Sequence, residues 1–101
     1  MRAILKTPDS KELKVIEIEN ELKALQKAVE GWIECVTVGD GICLIVNEEG
    51  KYSNLPVNCR FRGDWIKGNM LFVGSDGEDF CSLTDDQIKE VKKIYDEGTK
   101  R

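Results

Sequence analysis

Four cysteines and the absence of histidine define the chemistry available to this chain of 101 residues. Histidine is the most frequent general base, the usual partner of a nucleophilic Ser or Cys, and the commonest transition-metal ligand. Its absence argues against the familiar hydrolytic designs. The cysteines, whose spacing matches no C-x-x-C zinc pair, are Cys35, Cys43, Cys59 and Cys81. We expect no catalytic residue, no metal site and no cofactor.

The thiols themselves have two interpretations. Cys35 and Cys43 fall in predicted strands, where a buried and inert thiol is usual. Cys59 has Arg60 and Arg62 nearby, and cations lower the pKa of a thiol, so a reactive Cys59 is one reading. The other is an ordinary loop or core cysteine. Because no secretory signal is found, we expect all four thiols to be free.

Two charged segments also raise functional readings. Residues 76–79 are acidic but lack the spacing of an EF-hand, so we expect a solvated turn. Residues 60–67 mix basic and aromatic side chains, as single-stranded nucleic-acid binders do. The alternative places Trp65 and Ile66 in the core. A net charge of −4 weighs against phosphate contacts, and we expect no nucleic-acid partner.

Turns and irregular segments contain the residues that hydrophobic patterning leaves unexplained. Loops carry binding function more often than strands do. The candidate binding residues chosen on this basis are Asn47, Glu48, Asn54, Pro56, Asn58 and Arg60. The competing interpretation is local, since Asn and Pro also stabilise turns without any ligand.

The order of secondary structure follows from periodicity and turn signals. Residues 2–6 and 12–18 predict a hairpin, and a helix follows between Asn20 as its cap and Gly31 as its stop. Residues 32–38 and 42–46 flank an Asp40-Gly41 turn and predict a second hairpin. Residues 51–68 look irregular, and 69–73 predict a last strand. Thr84 and Gln87 predict a capping box for a final helix that ends at Gly98.

These elements predict one α+β domain over residues 1–101. We expect one mixed sheet of about five strands with two helices, in the order ββαββ-loop-βα, which resembles the β-grasp arrangement. No apolar run reaches the ~20 residues of a membrane helix, and no stretch fits a signal peptide. We therefore expect a cytoplasmic protein with no membrane partner.

Several short segments together resemble one known family. They are residues 1–8, 38–42, 46–51, 54–58, 71–74 and 82–85. The chain resembles the bacterial and phage domain of unknown function numbered 3846, over nearly its whole length. Members of that family occur in phages, plasmids and other mobile elements. The resemblance implies a small accessory protein of such an element and carries no catalytic residue.

Two hypotheses of function follow. The first is a non-enzymatic binding protein of a phage or mobile element that modulates a host or defence protein. The alternative is a protein that binds or sequesters a small, nucleotide-like molecule and acts as an oligomer. A homo-oligomer is compatible with both, and the absence of histidine and of every catalytic motif tested argues against an enzyme.

Overall fold

The computed structural model describes residues 1–100, which contain two helices, eight strands and one short 3₁₀ turn at Gly50–Tyr52. The strands are β1 (Arg2–Lys6), β2 (Lys14–Glu17), β3 (Ile33–Gly39), β4 (Ile42–Asn47), β5 (Val57–Phe61), β6 (Asp64–Lys67), β7 (Met70–Ser75) and β8 (Phe80–Cys81), and the helices are α1 (Leu22–Val29) and α2 (Asp85–Gly98). The α+β class predicted from the sequence is confirmed.

Six strands form one sheet in the order β2-β1-β7-β4-β3, with β8 paired to the end of β7. The predicted single sheet of about five strands is present with six strands, but every pairing is antiparallel, so the sheet is not mixed. A β-grasp sheet has a parallel central pair, whereas β1 and β4 both run antiparallel to β7. The reason is that β3, β4 and β7 form a meander, in which each strand reverses the direction of the previous one.

The segment 51–68, predicted to be irregular, contains a further hairpin instead. Strands β5 and β6 pair with each other in a separate two-stranded sheet. Their turn uses Arg62 and Gly63, both with positive φ (50° and 87°). Of the ten residues from Val57 to Ile66 only Phe61 is buried, so the hairpin has no regular alternation of buried and exposed residues. Without that alternation the segment gives no strand signal in the sequence.

The sheet is covered on both faces, which makes β4 and β7 apolar on both sides. On one face Ile45 and Leu71 pack under Leu25 and Val29 of α1. On the other face a second cluster joins the sheet to α2 and to the β5–β6 hairpin, and it includes Ile42, Leu44, Phe72, Phe61, Val91 and Ile94. The β5–β6 hairpin therefore lies on the α2 side of the sheet.

The ends of α1 differ from the prediction. Glu21 occupies the N-cap position without a side-chain hydrogen bond, while the amide of Asn20 donates to the Phe80 carbonyl oxygen (2.8 Å). At the other end Glu30, and not Gly31, adopts the left-handed conformation (φ 61°). Gly31 is needed for a different reason, because a Cβ there would lie 2.6 Å from the amide nitrogen of Asn47.

The start of α2 confirms the predicted capping box. The Thr84 hydroxyl accepts from the Gln87 backbone N–H (3.1 Å), and the Gln87 side chain accepts from the Thr84 N–H (3.0 Å). Leu83 is buried, as a staple residue before the cap should be. At the other end Gly98 packs against the Phe61 ring, where a Cβ would clash. The contact joins the end of α2 to the β5–β6 hairpin.

Candidate functional site

The long connection between β4 and β7 is held in place by three asparagine amides. Asn47 donates to the carbonyl oxygens of Val29 (3.1 Å) and Glu30 (3.2 Å), and Asn69 donates to that of Ala28 (2.8 Å). The last carbonyls of a helix have no partners within the helix, so both side chains satisfy the end of α1. Asn47 therefore has a structural role that turn chemistry alone did not reveal.

Asn58 is the third anchor, and it joins the β5–β6 hairpin to β1. Its Oδ1 accepts from the Lys6 ammonium (2.7 Å), and its Nδ2 donates to the carbonyl oxygens of Lys6 and Gly68 (2.8 Å each). Lys6 is only 3% exposed, and burial lowers its pKa below the ordinary value. The Thr7 carbonyl accepts a further hydrogen bond from it (2.8 Å).

The remaining candidate residues lie apart from one another. Glu48 lines an open groove described below, whereas Asn54 borders a separate recess with Trp32. The Pro56 carbonyl accepts from the Gly68 N–H (2.8 Å). Arg60 is exposed near the end of α2. The six residues chosen from the sequence thus do not converge on one site.

The groove lies between the β5–β6 hairpin and the face of β3 and β4 that is directed toward it, and it has a volume of about 360 Å³. Its apolar lining includes Val38, Leu44, Val46, Phe61 and Ile66. We call it the β3–β6 groove. Its charged side chains are three acids and three bases, Glu34, Glu48, Asp64, Lys51, Arg62 and Lys67.

Three large apolar side chains of the β3–β6 groove are open to solvent. Tyr52 is 91% exposed, Trp65 is 58% exposed and Val36 is 45% exposed. The expectation that Trp65 fills the core was wrong, although Ile66 beside it does pack against the core cluster. Alternation along β6 explains the difference, since neighbouring residues of a strand point to opposite sides.

Arg62 holds the hairpin tip against both the sheet and α2. Its Nη2 donates to the Val38 carbonyl oxygen (2.8 Å), and its guanidinium carbon lies 5.3 Å from the centre of the Phe61 ring. Its backbone N–H donates to the Gly98 carbonyl oxygen (2.7 Å). Across the groove, Lys51 and Asp64 form an exposed ion pair (3.6 Å). Such an exposed pair contributes little to stability.

None of the thiols with a shifted pKa is activated. Burial raises the pKa of Cys59, and the Tyr95 hydroxyl and the Lys6 charge only partly oppose this. Partial burial of the thiol, with a further contribution from a hydrogen bond to Cys43, raises the pKa of Cys35 to about 12, although the residue as a whole is exposed. A nucleophilic cysteine needs the opposite shift. The reading of Cys59 as a thiol activated by Arg60 and Arg62 is therefore wrong.

Residues 1–100 contain no group of three His, Cys, Asp or Glu side chains placed to hold a metal ion. Within the same residues no helix is long and apolar enough to cross a membrane. The four cysteines are free thiols in the structure.

A family model described as a domain of unknown function (DUF3846) matches residues 1–96. The chain belongs to the DUF3846 family. Searches of curated proteins and of solved structures found no match. The residues matched to DUF3846 include every residue that lines the β3–β6 groove. The groove is therefore part of the DUF3846 domain itself.

Proposed function

We propose that this DUF3846 protein is a non-enzymatic binding protein whose partner protein occupies the β3–β6 groove. The observation that carries the proposal is the exposure of Tyr52, Trp65 and Val36 around one apolar groove. Tyr and Trp are enriched among the residues that dominate binding energy at protein interfaces. Two exposed aromatic side chains at one open groove have no evident role in the fold.

The charges at the groove fit a protein partner. Interfaces place apolar anchors in the centre and polar groups at the rim. Here both signs of charge surround the apolar lining, so the groove has no excess of positive charge that would favour a nucleic acid.

The setting that we propose for this activity is a phage or mobile element, with a host or defence protein as the partner. It rests on the resemblance of the chain to a family whose members occur in such elements. The absence of histidine and the raised pKa values of Cys35 and Cys59 support a function without catalysis.

The test is affinity capture from a host lysate with tagged wild-type protein and with two variants, Trp65→Ala and Trp32→Ala. Trp32 is 64% exposed but lies outside the groove, so it is the matched control. We expect a partner that is retained by wild type and by Trp32→Ala and lost with Trp65→Ala. Equal retention of the partner by all three proteins would show that the partner does not bind in the β3–β6 groove.

A small nucleotide-like ligand is the second candidate. The volume of about 360 Å³ lies in the range of small-molecule sites, ~300–1,000 Å³. Trp65 and Tyr52 offer surfaces for stacking, and Lys51, Arg62 and Lys67 offer positive charge for a phosphate. Mass spectrometry of small molecules released from the captured protein distinguishes this candidate. A nucleotide released from wild type but not from Trp65→Ala, with no retained protein, would favour it.

A further inference from the structure

The two edges of the six-stranded sheet are protected to different degrees. Edge strand β2 has four residues, two of them the charged Lys14 and Glu17. Edge strand β3 has seven residues, and its run Glu34–Thr37 is exposed throughout. It contains no Lys, Arg or Pro, and Glu34 is its only charge. A bulge interrupts its pairing with β4 between Thr37 and Gly39, at the end of the exposed run. Proteins usually shorten, charge or cover such edges, because a long bare edge pairs with other strands.

The main-chain groups of β3 that face away from β4 can be identified. The Glu48 N–H donates to the Trp32 carbonyl oxygen (2.7 Å), and the register pairs Ile33 with Asn47 and Cys35 with Ile45. In an antiparallel pair, hydrogen-bonded and non-hydrogen-bonded positions alternate. The N–H and C=O groups of Ile33, Cys35 and Thr37 therefore point outward. They form a row of donors and acceptors along the free edge.

We propose that β3 pairs antiparallel with β3 of a second copy of this chain, about a two-fold axis at Val36. Val36 then lies opposite the second copy's Val36, and Cys35 lies opposite the second copy's Thr37. Both copies use the same edge, so the dimer is closed and neither copy keeps a free β3 edge. This inference rests on the proposed binding function, because it makes the dimer, with its two β3–β6 grooves, the form of the protein that binds the partner.

Charge complementarity selects this register. Glu34 lies opposite the second copy's Val38, and each Val38 carbonyl oxygen already holds an Arg62 guanidinium at 2.8 Å. Glu34 and Arg62 line the same groove, and within residues 1–100 neither has an ion-pair partner. The dimer joins them in two symmetry-related ion pairs. A two-fold axis at Glu34 would instead oppose like charges, which destabilises a strand pair.

The second copy also changes the site. An axis perpendicular to the sheet keeps both grooves on the same face, so the two β3–β6 grooves meet at the Val36 pair. Tyr52 and Trp65 of each copy stay open on that face. One continuous apolar surface with two pairs of aromatic side chains results, to which each copy contributes half.

The first test is sedimentation velocity of the purified protein alone, which needs no partner. We expect a species of twice the 11.4 kDa chain mass. Val36→Lys should shift the protein to monomer, because it places two ammonium groups at the axis. Val15→Lys is the matched control, since Val15 is similarly exposed (50% against 45%) on the other edge, and it should remain dimeric. A monomeric wild type, or equal loss with both variants, would overturn the proposal.

The register has its own test. Glu34→Arg and Arg62→Glu should each weaken the dimer, and the double variant should restore it, with circular dichroism confirming that all three variants are folded. Thr37→Cys should form an intermolecular disulfide with Cys35 under copper-phenanthroline oxidation. A hydrogen-bonded antiparallel pair separates its Cα atoms by about 5.5 Å, within the ~4.4–6.8 Å of disulfides. A wild-type dimer that links Cys35 to Cys35 would refute the axis at Val36.

Failure of this inference is separable from failure of the proposed function. Trp65→Ala should leave the sedimentation of the purified protein unchanged, because Trp65 is not at the axis. A monomeric wild type that still captures its partner through Trp65 would overturn the dimer alone. A dimeric protein that captures its partner equally well with and without Trp65→Ala would support the pairing of β3. It would overturn the groove as the binding surface.

Discussion

Replacing Asn58 with Ala should destabilise the whole domain, although Asn58 is half-buried and lies in the β5–β6 hairpin. The change removes three hydrogen bonds of 2.7–2.8 Å, one of them from the ammonium group of Lys6. A neutral hydrogen bond contributes about 0.5–1.5 kcal/mol and one to a charged group about 1.5–3 kcal/mol. Because water can partly replace the lost amide, we expect a loss of about 2–4 kcal/mol in the free energy of unfolding.

The assay is equilibrium unfolding in urea, followed by tryptophan fluorescence and by circular dichroism. Asn54→Ala is the matched control, because Asn54 is exposed and a surface change of this kind costs within about 0.5 kcal/mol. Asn58→Asp keeps an acceptor for Lys6 but loses both donors, so it should also be destabilised. A loss below about 1 kcal/mol for Asn58→Ala, or stability of Asn58→Asp equal to wild type, would refute the structural role.

Four further outcomes are expected. Thr84→Ala should lower the unfolding free energy by about 0.5–2 kcal/mol, and an unchanged urea midpoint would show that the capping box is not needed. The free energy of unfolding should fall as the pH rises from about 10 to 12, because the pKa of Tyr95 is raised from 10.0 to about 12 and the unfolded chain loses that proton first. Tyr95→Phe should reduce this fall, and the same dependence of stability on pH in the variant would contradict the raised pKa. Cys35 should react slowly with a thiol reagent at pH 8 despite its exposure, because its pKa is raised to about 12, while denatured protein should show four free thiols; rapid labelling of native Cys35, or a count below four, would be the contrary result. Fluorescence anisotropy at ~150 mM salt should show no submicromolar binding to single- or double-stranded oligonucleotides. Tight binding that is lost with Trp65→Ala would instead show that the exposed Trp65 ring stacks on nucleic-acid bases.

The features that could be predicted from the sequence are those determined by neighbours in the chain. The box of Thr84 and Gln87 lies within one helical turn, and both hydrogen bonds of the box form. The Asp40-Gly41 turn likewise predicted the β3–β4 hairpin, in which Gly41 adopts the left-handed conformation (φ 67°). The continuous apolar runs of β4 and β7 predicted strands that are buried on both faces.

The candidate site was not predictable in the same way. Asn47 and Asn58 are candidates in the sequence because turn and loop residues often bind ligands, yet their partners lie 18 and 52 positions away in the chain. The same residue types serve a turn, a ligand or a distant carbonyl, and only the fold decides among these. Its apolar character predicts a core position for Trp65, whereas the alternation of strand β6 directs its side chain outward, where it is 58% exposed.

The sequence alone determined the α+β class, the capped final helix, the buried central strands and the absence of histidine chemistry. These depend on residue type and on spacings of two to four positions, which local geometry enforces. The tertiary structure decided the antiparallel order of the sheet, the β5–β6 hairpin, the groove and the bare edge of β3. Those features depend on pairings between distant segments, such as Ile4 with Phe72. Each pairing is stabilised because both partners become buried together, so the pattern of one segment alone cannot specify it.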